Sequence, residues 1–342
     1  MRRKLMLLIG FAGPAAVAVA QPAPRFQVPS TVSPETAKEL TALYAGASRR
    51  PQLPKPNSLK DWDDQRAAVD RFMTPASNAI VTKLGASVRD DRIGDVPVVV
   101  IRPAGYKPTG RTLIYLHGGG YTLFSAHTRQ GPPALVAAAT GDEVISVDYS
   151  VAPRGNWKTV TDQVLSVWKA LLAKGRPPAS VGMFGDSAGG GLAAGAVFKM
   201  RDQGLPLPGA LYLMSPWSDI EDIGDSYDTI ASVDPVLDLA SSRWNANAYV
   251  DPADQRNPYV SPVYGDYTKP FPPTLIQGGT REMFLSNFVR EYQAIRSGDH
   301  EAVLDLYEGM PHVFQGSLPN TQETRTAIAR AAAFFARHLR AR

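Results

Sequence analysis

From residue 96 onward the chain alternates short apolar runs with longer stretches of helical period. The runs at 96–101 (VPVVVI), 113–116 (LIYL), 144–147 (VISV), 181–184, 211–214, 274–276 and 303–306 read as strands. Helix-length segments lie among them at 132–140, 160–173, 188–203 and 286–296, and a helical pattern at 321–340 closes the chain. Short continuous apolar runs suit strands buried on both faces. Connections of helix length imply right-handed βαβ units. The expected class is therefore α/β, with a mostly parallel central sheet covered by helices on both faces.

Two regions fall outside this rhythm. Residues 21–60 are rich in proline around a helical stretch at 33–45, where Ser33 is placed to cap and Pro34 suits the first turn. A second helical pattern follows at 62–73. Residues 218–273 carry many Asp, Pro, Trp and Tyr and interrupt the alternation, which marks an excursion off the sheet.

The first twenty residues follow a different logic. Arg2, Arg3 and Lys4 precede an apolar stretch that ends in Ala18-Val19-Ala20 before Gln21. A basic start, an apolar middle and an A-x-A end are the parts of a secretory signal peptide. The stretch is too short for a membrane span, and Gly10, Gly13 and Pro14 interrupt it. The expectation is export, to the periplasm or beyond, after cleavage near Ala20, with no membrane span left afterwards. That changes the reading of charge, because the formal net charge of +4 includes the three basic residues of the leader. No dense Lys/Arg run remains to track phosphates, so a nucleic-acid partner is not expected. Cysteine is absent, so an ordinary core must hold the fold without disulfides.

The candidate chemistry starts at Gly185-Asp186-Ser187-Ala188-Gly189, a G-x-S-x-G placed directly after a strand and before a helix. A serine there sits on a sharp turn that lifts its hydroxyl clear of the sheet, and glycines on both sides avoid a clash. The helix that follows points its N-terminus at the site, which favours developing negative charge. Neither G-x-G-x-x-G nor G-x-x-x-x-G-K occurs here, which argues against a nucleotide-binding turn. A second signal, His117-Gly118-Gly119-Gly120, ends the 113–116 strand. Backbone N–H groups of Gly118, Gly119 and Gly120, with that of Ala188, form a candidate oxyanion hole. His117 reads as a residue that shapes this loop.

A serine nucleophile needs a base, and the base needs an orienting acid. With the chain order Ser, acid, His, the two histidines that precede Ser187 (His117 and His127) are excluded. His300 leads into a strand and His338 lies in the terminal helix, which leaves His312 in "EGMPHVFQ". For the acid, Glu282 in "GGTREMFLSN" is the carboxylate that follows the 274–276 strand. Asp266, Asp299 and Asp305 are its rivals. Tyr121 and Trp217 are candidate walls of a substrate pocket, with core packing as the alternative role.

With these motifs in hand, the chain resembles the hormone-sensitive-lipase-like branch of α/β-hydrolases, the bacterial esterase family IV. The resemblance runs from about Val96 to the C-terminus through "YLHGGGY", "SVDYSVAP", "GDSAGGGLA", "LMSPWSD", "NPYVSPVYGD" and "GMPHVFQ". It implies an α/β-hydrolase fold with a helical cap, a Ser-His-acid triad, oxyanion donors from the glycine loop and no cofactor or metal. The "GGTREMFLSN" segment is similar to the sub-branch with Glu as the acid, that of monoterpene lactone hydrolases and acetyl hydrolases. Two positions depart from the family pattern. Arg154 stands where an acid is usual after Ala152-Pro153, and Asn287 replaces an acidic residue common after the catalytic acid. The implied division is a signal peptide at 1–20, an N-terminal cap segment at 21–90, and a hydrolase domain at 91–342 with an insertion at about 218–273.

The implied activity is hydrolysis of short- to medium-chain carboxylic esters through an acyl-enzyme, with a small-molecule ester as partner. A lactonase, amidase or transacylase would use the same triad, and a catalytically inactive binding module would use the same fold. Oligomeric state is not encoded in these motifs, and a homodimer is compatible with them.

Overall fold

The computed structural model describes residues 26–47 and 54–341. The segment read as a signal peptide, and its cleavage point at Ala20, lie outside the described residues. In chain order the elements are α1 (Pro34–Ala47), α2 (Leu59–Leu84), β1 (Ser87–Ile93), β2 (Val96–Arg102), β3 (Thr112–Leu116), α3 (Gly131–Thr140) and β4 (Glu143–Val147). There follow α4 (Trp157–Ala173), β5 (Val181–Asp186), α5 (Ala188–Asp202), β6 (Ala210–Met214), α6 (Ser226–Thr229) and α7 (Leu239–Tyr249). The last are β7 (Thr274–Gly279), α8 (Leu285–Ser297), β8 (Ala302–Tyr307), α9 (Phe314–Ser317) and α10 (Gln322–His338).

The eight strands form one sheet in the order β1-β2-β4-β3-β5-β6-β7-β8. From β4 to β8 all neighbours are parallel, and β1 and β2 add an antiparallel edge. All seven expected strands are present. The eighth, β1, has the sequence SVRDDRI and is mostly exposed, so it carries no apolar signature. Its backbone pairs with β2 from Ser87 to Ile93. The sheet therefore begins at Ser87, inside the 21–90 segment expected as the cap.

Period-two alternation sorts the strand residues between two layers. Val98, Val100, Ile114, Leu116, Met183 and Leu213 face α4, α5 and α8, whose Val164, Trp168, Leu192 and Phe288 share their cluster. Val99, Ile101, Leu113, Tyr115 and Phe184 face α3 and α10, which contribute Ala134, Ala137, Ile328 and Phe335. The Ala/Gly-rich α5 is buried along almost its whole length, so small residues let it lie close under the sheet.

Helix α2 runs well past the expected 62–73 and contains Pro75. A mid-helix proline forfeits one backbone hydrogen bond, but strong ends offset that loss. Ser58 and Asp61 make a capping box at the start, and Gly85 closes the other end in the left-handed conformation. Tertiary contact fixes the second half, where Ser77 Oγ accepts the Gly131 N–H at 2.8 Å. At α1, Ser33 Oγ accepts from Thr36 N, the capping contact expected of it. Residues 218–273 leave the sheet between β6 and β7 and contain α6 and α7 but no strand.

Candidate active site

Ser187 stands between β5 and α5 with φ 56° and ψ −123°. Such a conformation costs a non-glycine residue roughly 1–3 kcal/mol and persists only where its surroundings overdetermine it. Here the Ser187 N–H donates to Met214 O at 2.8 Å, and its carbonyl accepts from Trp217 N at 2.9 Å and Gly190 N at 3.0 Å. The flanking glycines are required by close approach. A Cβ on Gly189 would lie 2.0 Å from Leu116 O, and one on Gly185 would lie 2.3 Å from Gly189 O. The turn thus holds the serine where β5 ends and leaves the Ala188 N–H at the helix start.

The glycine loop after β3 lies against this turn. His117 is fully buried, donates from Nδ1 to Gly118 O at 2.8 Å and stacks on Tyr149 with ring centroids 4.1 Å apart. Burial holds its imidazole below the ordinary histidine range, in line with a loop-shaping role. Gly119 has φ 106°, and a Cβ there would lie 2.4 Å from Leu123 O. Gly120 follows at φ 60°.

One expected donor is diverted. The Gly118 N–H donates to Asp186 Oδ1 at 3.0 Å, so it cannot also serve an oxyanion. The candidate hole narrows to Gly119, Gly120 and Ala188. Asp186 is buried, accepts from the Tyr115 hydroxyl, and pairs with Arg129 Nη2 at 2.7 Å. Burial pushes its carboxyl up, but Arg129, the Tyr115 hydroxyl and the Gly118 N–H outweigh that and hold it below the usual range. This anion therefore braces the glycine loop against the serine turn. Sequence reading missed it, although Asp186 sits in plain view inside the pentapeptide; Arg129 left no local signal.

The acid and base meet on the neighbouring strand ends. Glu282 is fully buried, and its Oε2 accepts from His312 Nδ1 at 2.7 Å. Its other oxygen accepts from Ser215 Oγ at 2.8 Å and Gly279 N at 2.5 Å. Ser215 Oγ in turn accepts from Val313 N at 3.1 Å, so one hydroxyl ties the Glu282 carboxylate to the residue after His312. Ser215 directly follows Met214, whose carbonyl holds Ser187. The three candidates thus share one rim of the sheet, at the carboxyl ends of β5, β7 and β8, where open α/β sheets place their sites.

The rival carboxylates point elsewhere. Asp266 is exposed and bonds Thr268. Asp299 lies in a turn at φ 61°. Asp305 accepts from Gln277 Nε2 and pairs with Arg330. Of the other histidines, His127 sits at the surface near Asp90, His300 contacts the carbonyls of Tyr267 and Lys269, and His338 faces Glu301.

Comparison with known proteins places this arrangement in a family. A model for the α/β hydrolase fold matches residues 113–316. An acetyl-hydrolase of Streptomyces hygroscopicus is 35% identical over 243 residues, covering 71% of this chain and 80% of that protein. Among solved structures, an esterase E25 aligns with TM-score 0.82 at 28% identity, covering 97% of this chain and 99% of its own. An esterase from the bacterial hormone-sensitive lipase family aligns with TM-score 0.77 at 28% identity, covering 90% and 99%. The chain belongs to the hormone-sensitive-lipase-like α/β-hydrolases.

The departures from the family pattern now have partners in this hydrolase. Arg154 reaches back to Asp63 on α2, an exposed ion pair between the N-terminal helices and the loop after β4. Asn287 is buried, accepts from Asp219 N at 2.6 Å and donates to the Tyr227 hydroxyl at 3.0 Å, so a neutral amide replaces an acid in a role that needs both donor and acceptor. Tyr121 and Trp217 are each 1% exposed and belong to the core. Tyr121 stacks on Tyr249 of α7 at 3.8 Å, and Trp217 stacks on Phe284 at 5.4 Å. Phe284 presents its ring edge-on to His312 at 5.3 Å, so these aromatics back the site from the core side. Among the described residues no group of three or more His, Cys, Asp or Glu side chains is placed to hold a metal ion.

Proposed function

We propose that the chain hydrolyses short- to medium-chain carboxylic esters through an acyl-enzyme formed on Ser187. The coarser part of this reading, a carboxylic-ester hydrolase, follows from its family and from relatives named acetyl-hydrolase, esterase and ethyl acetate hydrolase. The observation that carries the acyl-enzyme reading is the buried contact between His312 Nδ1 and Glu282 Oε2 at the rim that bears Ser187.

In this mechanism the contact leaves His312 Nε2 unprotonated, ready to take the Ser187 proton. The serine oxygen attacks the ester carbonyl, and the Gly119, Gly120 and Ala188 N–H groups receive the oxyanion. Glu282 stabilises the imidazolium, which then protonates the leaving alcohol. Water repeats the sequence on the acyl-enzyme and frees the acid. The reading of short acyl groups is supported by the names of the acetyl-hydrolase and ethyl acetate hydrolase relatives.

Residues 21–86 and 218–273 are proposed as the cap over this rim, and export after cleavage near Ala20 is proposed from the leader sequence alone. No helix among the described residues is long and apolar enough to cross a membrane. The deciding experiment is a hydrolysis panel of aryl esters of graded acyl length, with lactones and anilides alongside. Highest kcat/KM on acetyl to hexanoyl esters is expected; a preference for lactones or anilides would reassign the substrate class.

A further inference from the structure

Asp234 lies in the excursion between β6 and β7, ahead of α7, and is 2% exposed. Its Oδ1 accepts from the N–H groups of Val236 at 2.8 Å and Leu237 at 2.9 Å, a local turn. Its Oδ2 does something the turn does not need. It accepts from the Met283 N–H at 2.9 Å, across 49 positions of sequence. Met283 is the residue next to Glu282, so the excursion grips the acid loop one residue from the carboxylate that bonds His312.

Burial pushes the Asp234 carboxyl up to about 6, opposed by the three backbone donors and by His312, which favours the anion. Near neutral pH the group is therefore mostly an anion, with His312 among the charges that act on it. Tyr44 of α1 interacts electrostatically with it, and with Arg281 and Glu308. Glutamate has one more rotatable bond than aspartate, so a triad acid of this type gains more from a fixed backbone.

We propose that Asp234 is a positioning residue of the hydrolase, tying the excursion to the acid loop at Met283 and presenting a second negative charge to His312. Its charge stabilises the imidazolium that forms during attack without taking a proton, because Glu282 already occupies Nδ1. The inference rests on the assignment of Ser187, Glu282 and His312 above.

The test compares Asp234→Asn with Asp238→Asn, a control in the same excursion whose carboxylate caps α7 through Ser241 N. For each, kcat and KM on an aryl ester are measured from about pH 5 to 9, with the melting temperature and the NMR titration of the His312 imidazole. Asp234→Asn is expected to lower kcat about tenfold with little change in KM. It should also move the acid limb and the His312 titration to lower pH by roughly half a unit to one unit, because a negative neighbour is lost. Asp238→Asn, whose amide oxygen can still cap α7, should at most change the melting temperature slightly and move neither. If Asp234→Asn does not fold, Asp234→Ser, whose hydroxyl can still accept from the turn, is read by the same criteria. The proposal is overturned if the Asp234 variant keeps the wild-type acid limb or changes only stability. Ser187→Ala in the same series separates the two readings. Activity retained there removes the triad assignment and this inference with it, whereas an inactive Ser187→Ala beside an unshifted Asp234 variant removes the inference alone.

Discussion

The two halves of the candidate site are held by different means. Ser187 and the oxyanion donors stand on backbone: a strained turn gripped by Met214, Trp217 and Gly190, with glycines wherever β5, α5 and the loop after β3 touch. Glu282 and His312 stand on side chains: Ser215 and Asp234, both in the β6–β7 connection, hold the Glu282 loop, and Ser215 also reaches Val313 beside His312. A backbone-built half tolerates almost no change in volume at its contacts, because a single Cβ would sit inside van der Waals distance. A half built from side chains tolerates volume better but depends on the charge and donor pattern of each partner. Asp186 with Arg129 is where the first half borrows from the second style.

The comparison breaks most completely at the reacting groups. Ser187→Ala or His312→Ala is expected to lower kcat by a factor on the order of 10⁴ or more, since triad members act as a unit, with circular dichroism and melting temperature close to wild type. Near-normal turnover in either variant, followed on an aryl ester, removes the mechanism. Glu282→Gln comes next, with a loss on the order of 10² to 10⁴ in kcat and little change in KM, because the amide can favour the wrong imidazole tautomer. The same exchange at Asp266, Asp299 or Asp305 should act weakly or through stability.

Arg129→Met probes the backbone-built half through its single buried ion pair. It leaves the Asp186 carboxylate buried without its cation, which destabilises by about 3–5 kcal/mol, to be read from denaturant unfolding. Retention of full stability would mean that the glycine loop is held by packing alone.

A stability effect of similar size lies under the acid half. Burial pushes Glu291 up to about 8 from its ordinary 4.5, with the Ser218 hydroxyl as its donor. Because the folded value is the higher one, its contribution to stability is complete below about pH 4.5 and is lost as pH rises through about 8. Melting temperature should therefore decline more steeply from pH 5 to 9 in the wild type than in Glu291→Gln. Parallel curves for the two proteins would show that Glu291 does not titrate in the fold.

Much of the architecture was legible because buried parallel strands are short apolar runs wherever they occur, and all seven apolar runs became strands. The serine turn was legible for a related reason: its glycines are local, within two residues of Ser187. β1 was hidden, since an exposed edge strand needs only backbone pairing and its side chains can be SVRDDRI. The extent of α2 was hidden as well, because Pro75 signals a break that capping at both ends and the contact with Gly131 override.

Residue order along the chain determined the layered α/β fold and the candidates Ser187, Glu282 and His312, since each belongs to a pattern contained within one strand end and its following loop. Only the tertiary structure decided that the Gly118 N–H answers to Asp186 and that Asp234 reaches the acid loop. Those choices are made by hydrogen bonds between residues dozens of positions apart, and a buried donor takes whichever acceptor the packing brings within about 3 Å. No local periodicity records that distance.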